Sequence, residues 1–246
     1  MNQAENWLLQ EKYHGQPSAD FAADRQRLAA GEPLAYVIGH IPFLDCQIYL
    51  DSRPLIPRPE TEYWTQRVRE TWSDQTQRRS LQILDLCAGS GCIGIALAKS
   101  WPNATVTFAE LDPAHLPTIK KNVAANLAYK QSTAVIQSDL FAAITGRFDL
   151  IVANPPYIDP ALDRTDQAVL DHEPTLALYG GEAGFDCLRT ILEQAPAYLV
   201  PGGQLWLEHE PEQVALVREN AASFATVVTH NDQYLTPRFS VLSVAL

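Results

Sequence analysis

The residues best suited to chemistry lie in "IVANPPYI", positions 151 to 158. An apolar run ends on Asn154, two prolines follow, and Tyr157 closes the group. A strand that stops on an amide and continues without backbone N–H groups is rich in acceptors and poor in donors. Such an end suits a ligand that brings its own donors. A planar –NH2 on a carbonyl or aromatic ring is a weak nucleophile because its lone pair is delocalised, the same conjugation that gives the peptide bond a rotation barrier of ~18–20 kcal/mol. The Asn154 side-chain oxygen and the Pro155 carbonyl, aimed at the two N–H bonds, would hold the nitrogen with its lone pair forward. The prolines keep the loop extended before a substrate arrives. Tyr157 offers a flat face on which an amide or a base can stack. Asn154, Pro155 and Tyr157 are thus the candidate catalytic residues, and Pro156 joins them as a candidate substrate contact. A plain Pro-Pro exit turn has the same local composition, so the position of the tetrapeptide in the fold has to decide.

A second group lies in "LDLCAGSGCIG". Asp85 falls near the end of an apolar run, and Gly89, Ser90 and Gly91 form a turn into a helix, where a ligand can approach the main chain closely. Glu110 ends the next run about 20 residues further on, where a carboxylate can accept both hydroxyls of a ribose. Asp139 follows a third run in "QSDLF", and Leu140 and Phe141 are placed to cover an adenine ring. Three loops at the carboxyl ends of consecutive strands define one crevice, which predicts an adenosine-containing ligand. Gly89, Gly91 and Gly94 also fit G-x-G-x-x-G, so spacing alone leaves a dinucleotide open. Asp112 before Pro113 reads as a helix N-cap.

The elements that must position these groups follow from the hydrophobic rhythm. Residues 1–30 show two short helical patterns, and "PLAYVIGHIPFLDCQIYLDSRPLI" alternates like a hairpin. "IPRPETE" reads as an ordered extended loop, with a helix starting at Glu60 or Thr61 and running through Trp72. "SDQTQRRS" reads as a surface loop. From Leu81 onward, strands alternate with helices: 81–87, 104–111, 133–138, 148–153 and 202–209 read as strands. The last two runs, 224–230 and 238–246, have no helix between them, which predicts an antiparallel pair at the sheet edge. The expected fold is α/β: a seven-stranded, doubly wound, mostly parallel sheet with a small helical N-terminal region and a β-hairpin linker. The chain divides on this reading into residues 1–55 and 56–246.

Composition narrows the partners. Of 246 residues, 46% are hydrophobic and 19% charged, enough for one good core with a small appendage. The formal net charge of -11 repels phosphate backbones, and Lys120–Lys121 and Arg78–Arg79 are only pairs, so no direct nucleic-acid contact is expected. Cys46, Cys87, Cys92 and Cys187 lack CxxC or zinc spacing and read as reduced thiols of a cytoplasmic protein without metal. The N-terminus does not read as a signal peptide, and no apolar run approaches the roughly 20 residues that span a bilayer.

Taken together, "GEPLAYVIG", "LIPRPETE", "ILDLCAGSG", "FDLIVANPPYI", "HEPTLALYGGEAG" and "LVPGGQLWLE" resemble the class I S-adenosylmethionine-dependent methyltransferases. The particular likeness is to the release-factor glutamine methyltransferase family, called PrmC or HemK. That resemblance implies methyl transfer from S-adenosyl-L-methionine to the side-chain amide nitrogen of the glutamine in the Gly-Gly-Gln motif of peptide chain release factors. By position it puts cofactor contacts on Cys87, Ala88, Gly89, Ser90, Gly91, Glu110, Leu140 and Asn154, with Asp139 beside them. Substrate contacts fall on Asn154, Pro155, Pro156 and Tyr157. Arg58 and Glu60 belong to the pocket wall or to a structural ion pair. Two features depart from the family pattern: thirty residues precede Gly31, where the family usually carries a longer helical segment, and "LEHEPEQ" replaces a Gly-containing turn. "PGGQL", residues 201–205, reads as an ordinary turn between helix and strand, and His172 as a hydrogen-bonding loop residue. The expected protein is a monomer that binds a release factor. Competing readings are a methyltransferase for a ribosomal-protein glutamine or an exocyclic base amine, and a non-catalytic cofactor-binding module.

Overall fold

The computed structural model describes residues 1–76, 80–162 and 166–246, so Arg78 and Arg79 lie outside the described residues. The chain opens with α1 (Gln3–Glu11), α2 (Ala19–Ala29) and α3 (Leu34–Ile38), followed by the antiparallel pair β1 (His40–Phe43) and β2 (Cys46–Tyr49). The stretch from Pro33 was expected to be extended, yet its first residues form α3. Pro33 precedes that turn of helix and Gly39, at φ 96°, ends it in the left-handed region. Leu8, Phe21 and Val37 form a small apolar cluster of their own among these helices.

The main body then begins with α4 (Pro59–Thr76), β3 (Gln82–Leu86), α5 (Cys92–Ser100) and β4 (Thr105–Glu110). It continues through α6 (Leu116–Asn126), β5 (Thr133–Gln137), β6 (Phe148–Ala153) and the short α7 (Gln167–His172). The last elements are α8 (Asp186–Tyr198), β7 (Leu199–Glu208), α9 (Val214–Glu219), β8 (Thr226–Asn231) and β9 (Pro237–Ser243). Helix α4 starts at Pro59 rather than at Glu60 or Thr61, because a proline lacks only an N–H that the first turn leaves unpaired anyway. It also runs past Trp72, so residues 73–76 are helix and not loop.

Among the described residues, seven strands form one sheet in the order β5-β4-β3-β6-β7-β9-β8. The first five run parallel and β9 is antiparallel to both neighbours, as the two final runs predicted. Alternate residues of each strand feed different layers. Ile83, Val106, Leu150 and Val152 pack with Trp64, Trp72, Ile95 and Ile119 on one face. Leu84, Leu86, Ile151 and Ala153 pack with Leu188, Ile191 and Val217 on the other. Strand β6 is buried along its whole length because helices cover both faces.

The segment 201–203 differs from its expectation. It is no turn between helix and strand but an irregularity inside β7, where the pairing with β6 jumps from Phe148–Leu199 to Leu150–Gln204 and Gly202 adopts φ 73°. An extra loop of backbone is absorbed within the paired strand.

Gly94 lets α5 lie close on the sheet. A Cβ there would stand 2.5 Å from Phe108 Cε1 and 2.8 Å from Asp85 Oδ2. Gly94→Ala is therefore expected to cost about 1–3 kcal/mol, by forcing the Phe108 ring or the helix to shift. Chemical denaturation would register this as a lower midpoint with unchanged slope; an unchanged midpoint would show that the helix yields freely.

Candidate active site

The carboxyl ends of β3, β4, β5 and β6 converge on a cavity of about 360 Å³. The turn after β3 supplies Cys87, Ala88, Gly89 and Ser90; β4 supplies Glu110, and the loop after β5 supplies Asp139 and Leu140. Asn154 stands at its rim. A second cavity, about 390 Å³, shares Asn154, Leu55 and Ala177 with the first and is also lined by Pro155, Tyr157 and Arg58. Asn154 borders both, so the tetrapeptide, with Leu55 and Ala177, stands where two ligand-sized spaces adjoin.

Several expected residues stand elsewhere. Gly91 caps α5 at φ 80°, where a Cβ would press on Ile95, Ile119 and Phe108, and it stands outside the cavity lining. Pro156 turns to the first cavity, and only Asn154, Pro155 and Tyr157 of the tetrapeptide border the second. Phe141 does not cover a ligand ring: it is fully buried, stacked on Tyr198 at 4.6 Å between centroids. Glu60 lines neither cavity.

The glycine turn is braced by charge. Glu110 Oε2 accepts from the Gly89 N–H at 2.7 Å and Oε1 accepts from the Asp112 N–H at 2.8 Å. A carboxylate oxygen has further lone-pair sites, so Glu110 keeps acceptor capacity for hydroxyls. From α6, Asn122 donates to the Ser90 carbonyl at 3.0 Å and pairs with both backbone groups of Tyr49, tying the turn to the β1–β2 hairpin. No periodicity signals that role, since Asn122 reads as an ordinary polar helix position.

Asp85 lies under the same turn, wholly buried. Oδ2 accepts from the Gly94 N–H at 2.8 Å, while Oδ1 has no hydrogen-bond partner among the described residues. Burial, with a contribution from Glu110, pushes its carboxyl up to about 8. At that value Asp85 keeps its proton at neutral pH, so the orphaned Oδ1 under the glycine turn is a buried polar atom and not a fixed negative charge. Because the folded-state pKa lies above the unfolded value near 4, Asp85 favours folding most below about pH 4 and this contribution declines as pH rises to about 8. Asp85→Asn is expected to flatten the fall of melting temperature between about pH 5 and pH 8. Parallel pH profiles for both proteins would rule this out.

The tetrapeptide is fixed from three directions. Asn154 Nδ2 donates to Thr61 Oγ1 at 3.1 Å, and Tyr157 donates its hydroxyl to Glu208 Oε1 at 2.7 Å. Glu208, at the end of β7, also accepts from Thr61 Oγ1 at 2.7 Å and from Trp64 Nε1 at 2.5 Å. Burial raises the carboxyl of Glu208 against these donors, and burial together with Glu208 holds the Tyr157 phenol well above its ordinary value. Gln213 Nε2 donates to the Tyr157 carbonyl at 2.9 Å and to the Gly184 carbonyl at 3.0 Å. A Cβ on Gly184 would stand 2.1 Å from the Tyr157 carbonyl oxygen, which explains why this loop ends on glycine. The "LEHEPEQ" departure is thus harmless to the geometry: Glu210 caps a 3-10 turn that delivers Gln213 to Tyr157. His209, fully buried and held below its usual value by burial, bonds Ser240 at 2.8 Å.

Arg58 pairs with Glu173 at 2.7 Å, and the same carboxylate accepts from the Ile56 N–H at 3.0 Å. The "HEP" and "IPRPETE" segments therefore clamp each other beside the second cavity. Sequence reading placed Arg58 there but missed Glu173, as well as Thr61 and Glu208, whose partners lie more than 50 residues away.

Residues 70–172 match the Methyltransferase small domain family. The chain is 37% identical to the release factor glutamine methyltransferase of Xylella fastidiosa over 227 residues, which cover 90% of this chain and 80% of that protein. The chain belongs to the release factor glutamine methyltransferase family. A second member, from Lactococcus lactis, is 36% identical over 82% of this chain and 72% of its own length. Membership in this family removes the dinucleotide option that glycine spacing left open. The fold is shared with the Thermus thermophilus 16S rRNA N2 G1207 methyltransferase, solved with AdoMet and guanosine, at TM-score 0.57 and 22% identity over 84% of this chain and 49% of that one. At that identity the likeness is one of architecture.

Proposed function

We propose that this chain methylates the side-chain amide nitrogen of the glutamine in a Gly-Gly-Gln segment of a peptide chain release factor, using S-adenosyl-L-methionine. The observation that carries the reading is this adjoining: Asn154 borders both cavities, so a cofactor group in one and an amide in the other meet beside it. Gly89, Glu110, Asp139 and Leu140 would hold the cofactor, which when bound supplies an electrophilic methyl group on a sulfonium.

The chain's own residues do the rest. With Nδ2 turned to Thr61, the Asn154 carboxamide has its oxygen on the opposite side, where it accepts one amide N–H; the Pro155 carbonyl accepts the other. Both hydrogens of the substrate nitrogen are then held and its lone pair faces the first cavity. Tyr157, anchored through its hydroxyl, stacks on the flat amide. No strong base is required, because the nitrogen becomes acidic as it bonds to carbon and releases its proton to solvent. Residues 1–55 serve docking of the protein substrate. The enzyme acts as a monomer in the cytoplasm, a placement that four unpaired cysteines support. Among the described residues, no helix is long and apolar enough to cross a membrane.

Labelled S-adenosyl-L-methionine offered with a release factor, its Gln→Ala variant and RNA tests the reading. Label is expected on the intact release factor alone, with mass spectrometry locating it on the glutamine. Label in RNA and none in the release factor would favour the base-amine reading instead.

A further inference from the structure

The two ends of a carboxamide have nearly the same shape and opposite chemistry: one accepts and the other donates. Asn154 serves the proposed reaction only in one of its two orientations, and nothing in Asn154 itself selects it. We propose that Thr61, its hydroxyl proton committed to Glu208, selects that orientation and is a positioning residue for Asn154. The inference rests on the functional reading above.

A hydroxyl has one hydrogen. Glu208 is a fully buried carboxylate whose Oε2 takes that hydrogen at 2.7 Å. Thr61 Oγ1 then has only lone pairs to offer its other neighbour, and the Asn154 amide must present Nδ2, as it does at 3.1 Å. Turning the amide over would set two acceptors against each other. Relief would require Thr61 to withdraw its proton from Glu208, uncovering a buried carboxylate oxygen that otherwise keeps only Trp64 on that side. Polarity therefore runs one way, from the carboxylate on β7 through the hydroxyl on α4 to the amide after β6. The same carboxylate holds Tyr157, so a single buried group sets both functional side chains of the tetrapeptide.

Thr61→Val keeps the shape and deletes the hydroxyl; Thr61→Ser keeps the hydroxyl. With the full chain and an intact release factor, Thr61→Val is expected to lower kcat about 10- to 100-fold, the cost of a misoriented contact, with KM for S-adenosyl-L-methionine changed less than about threefold. Thr61→Ser is expected to restore most of kcat. Glu208→Gln retains an oxygen for Thr61 and Trp64, with its amide nitrogen facing the Tyr157 oxygen, and is expected to lose less than Thr61→Val. A Thr61→Val enzyme with the kcat of the parent would overturn the proposal, and so would a Thr61→Ser enzyme as impaired as Thr61→Val. If Thr61→Val does not fold, the comparison of Thr61→Ser and Glu208→Gln with the parent decides: retained kcat in both supports the relay, and a severe kcat loss in both with unchanged melting temperature overturns it. A parent enzyme that leaves the release factor unlabelled would instead fail the functional reading, a distinct result.

Discussion

Asn154→Ala is expected to lower kcat on an intact release factor about a hundredfold, equivalent to about 3 kcal/mol of barrier, with cofactor affinity nearly unchanged. The asymmetry follows from where the side chain stands. Its carboxamide lies where the two cavities adjoin, while the cofactor side is built mainly from the β3 turn, Glu110 and the β5 loop. Removing the amide deletes an acceptor held in place before the substrate binds, and its contribution grows as the nitrogen loses conjugation in the transition state. The truncation also leaves Thr61 Oγ1 without its donor, a modest effect because Thr61 still donates to Glu208. Single-turnover rates together with calorimetric cofactor titrations separate the two quantities. A kcat equal to that of the parent would mean that Asn154 is not the acceptor.

The second large effect is on stability. Glu208→Ala leaves Trp64 Nε1, Thr61 Oγ1 and the Tyr157 hydroxyl without their common acceptor in a buried site. At about 1–3 kcal/mol for each stranded donor, with relaxation of the two hydroxyls, the loss is expected to reach about 3–5 kcal/mol. For a chain of this size that corresponds to a melting temperature lower by roughly 10 °C. Activity is expected to fall as well, because Asn154 and Tyr157 lose their shared anchor. A thermal melt within a degree or two of the parent would show that water takes over the acceptor's role.

Both effects arise in a network that local sequence does not display. Asn154 and Tyr157 are visible because they sit in one tetrapeptide whose lack of donors is unusual. Glu110 and Asp139 are visible because parallel strands deliver their ends to one edge at a fixed spacing. Thr61 looked like a possible helix start, Glu208 like one acid among several near the C-terminus, and Glu173 like a neighbour of a lone histidine. Phe141 shows the opposite failure: its place beside Asp139 suggested a lid over a ligand, but the chain direction after Leu140 turns the ring into the core against Tyr198. Similarly, "PGGQ" carries turn composition, yet backbone bonds from Gly202 to Ala245 and from Val244 to Gly203, with Gln204 paired to Leu150 and Ser243, keep it within a strand.

The sequence by itself determined the alternation of strands and helices, the antiparallel edge, the glycine turn and the acceptor-rich strand end, since each depends on residues close along the chain and on hydrophobic period. Only the tertiary structure decided which way the Asn154 amide points, what anchors Tyr157, and that two cavities meet at Asn154, Leu55 and Ala177. Those properties depend on hydrogen-bond direction between α4, β6 and β7, whose contacting residues are separated by 51 to 147 positions. Side-chain polarity across such distances has no period to read, and it becomes definite only when packing brings a single hydroxyl proton between a carboxylate and an amide.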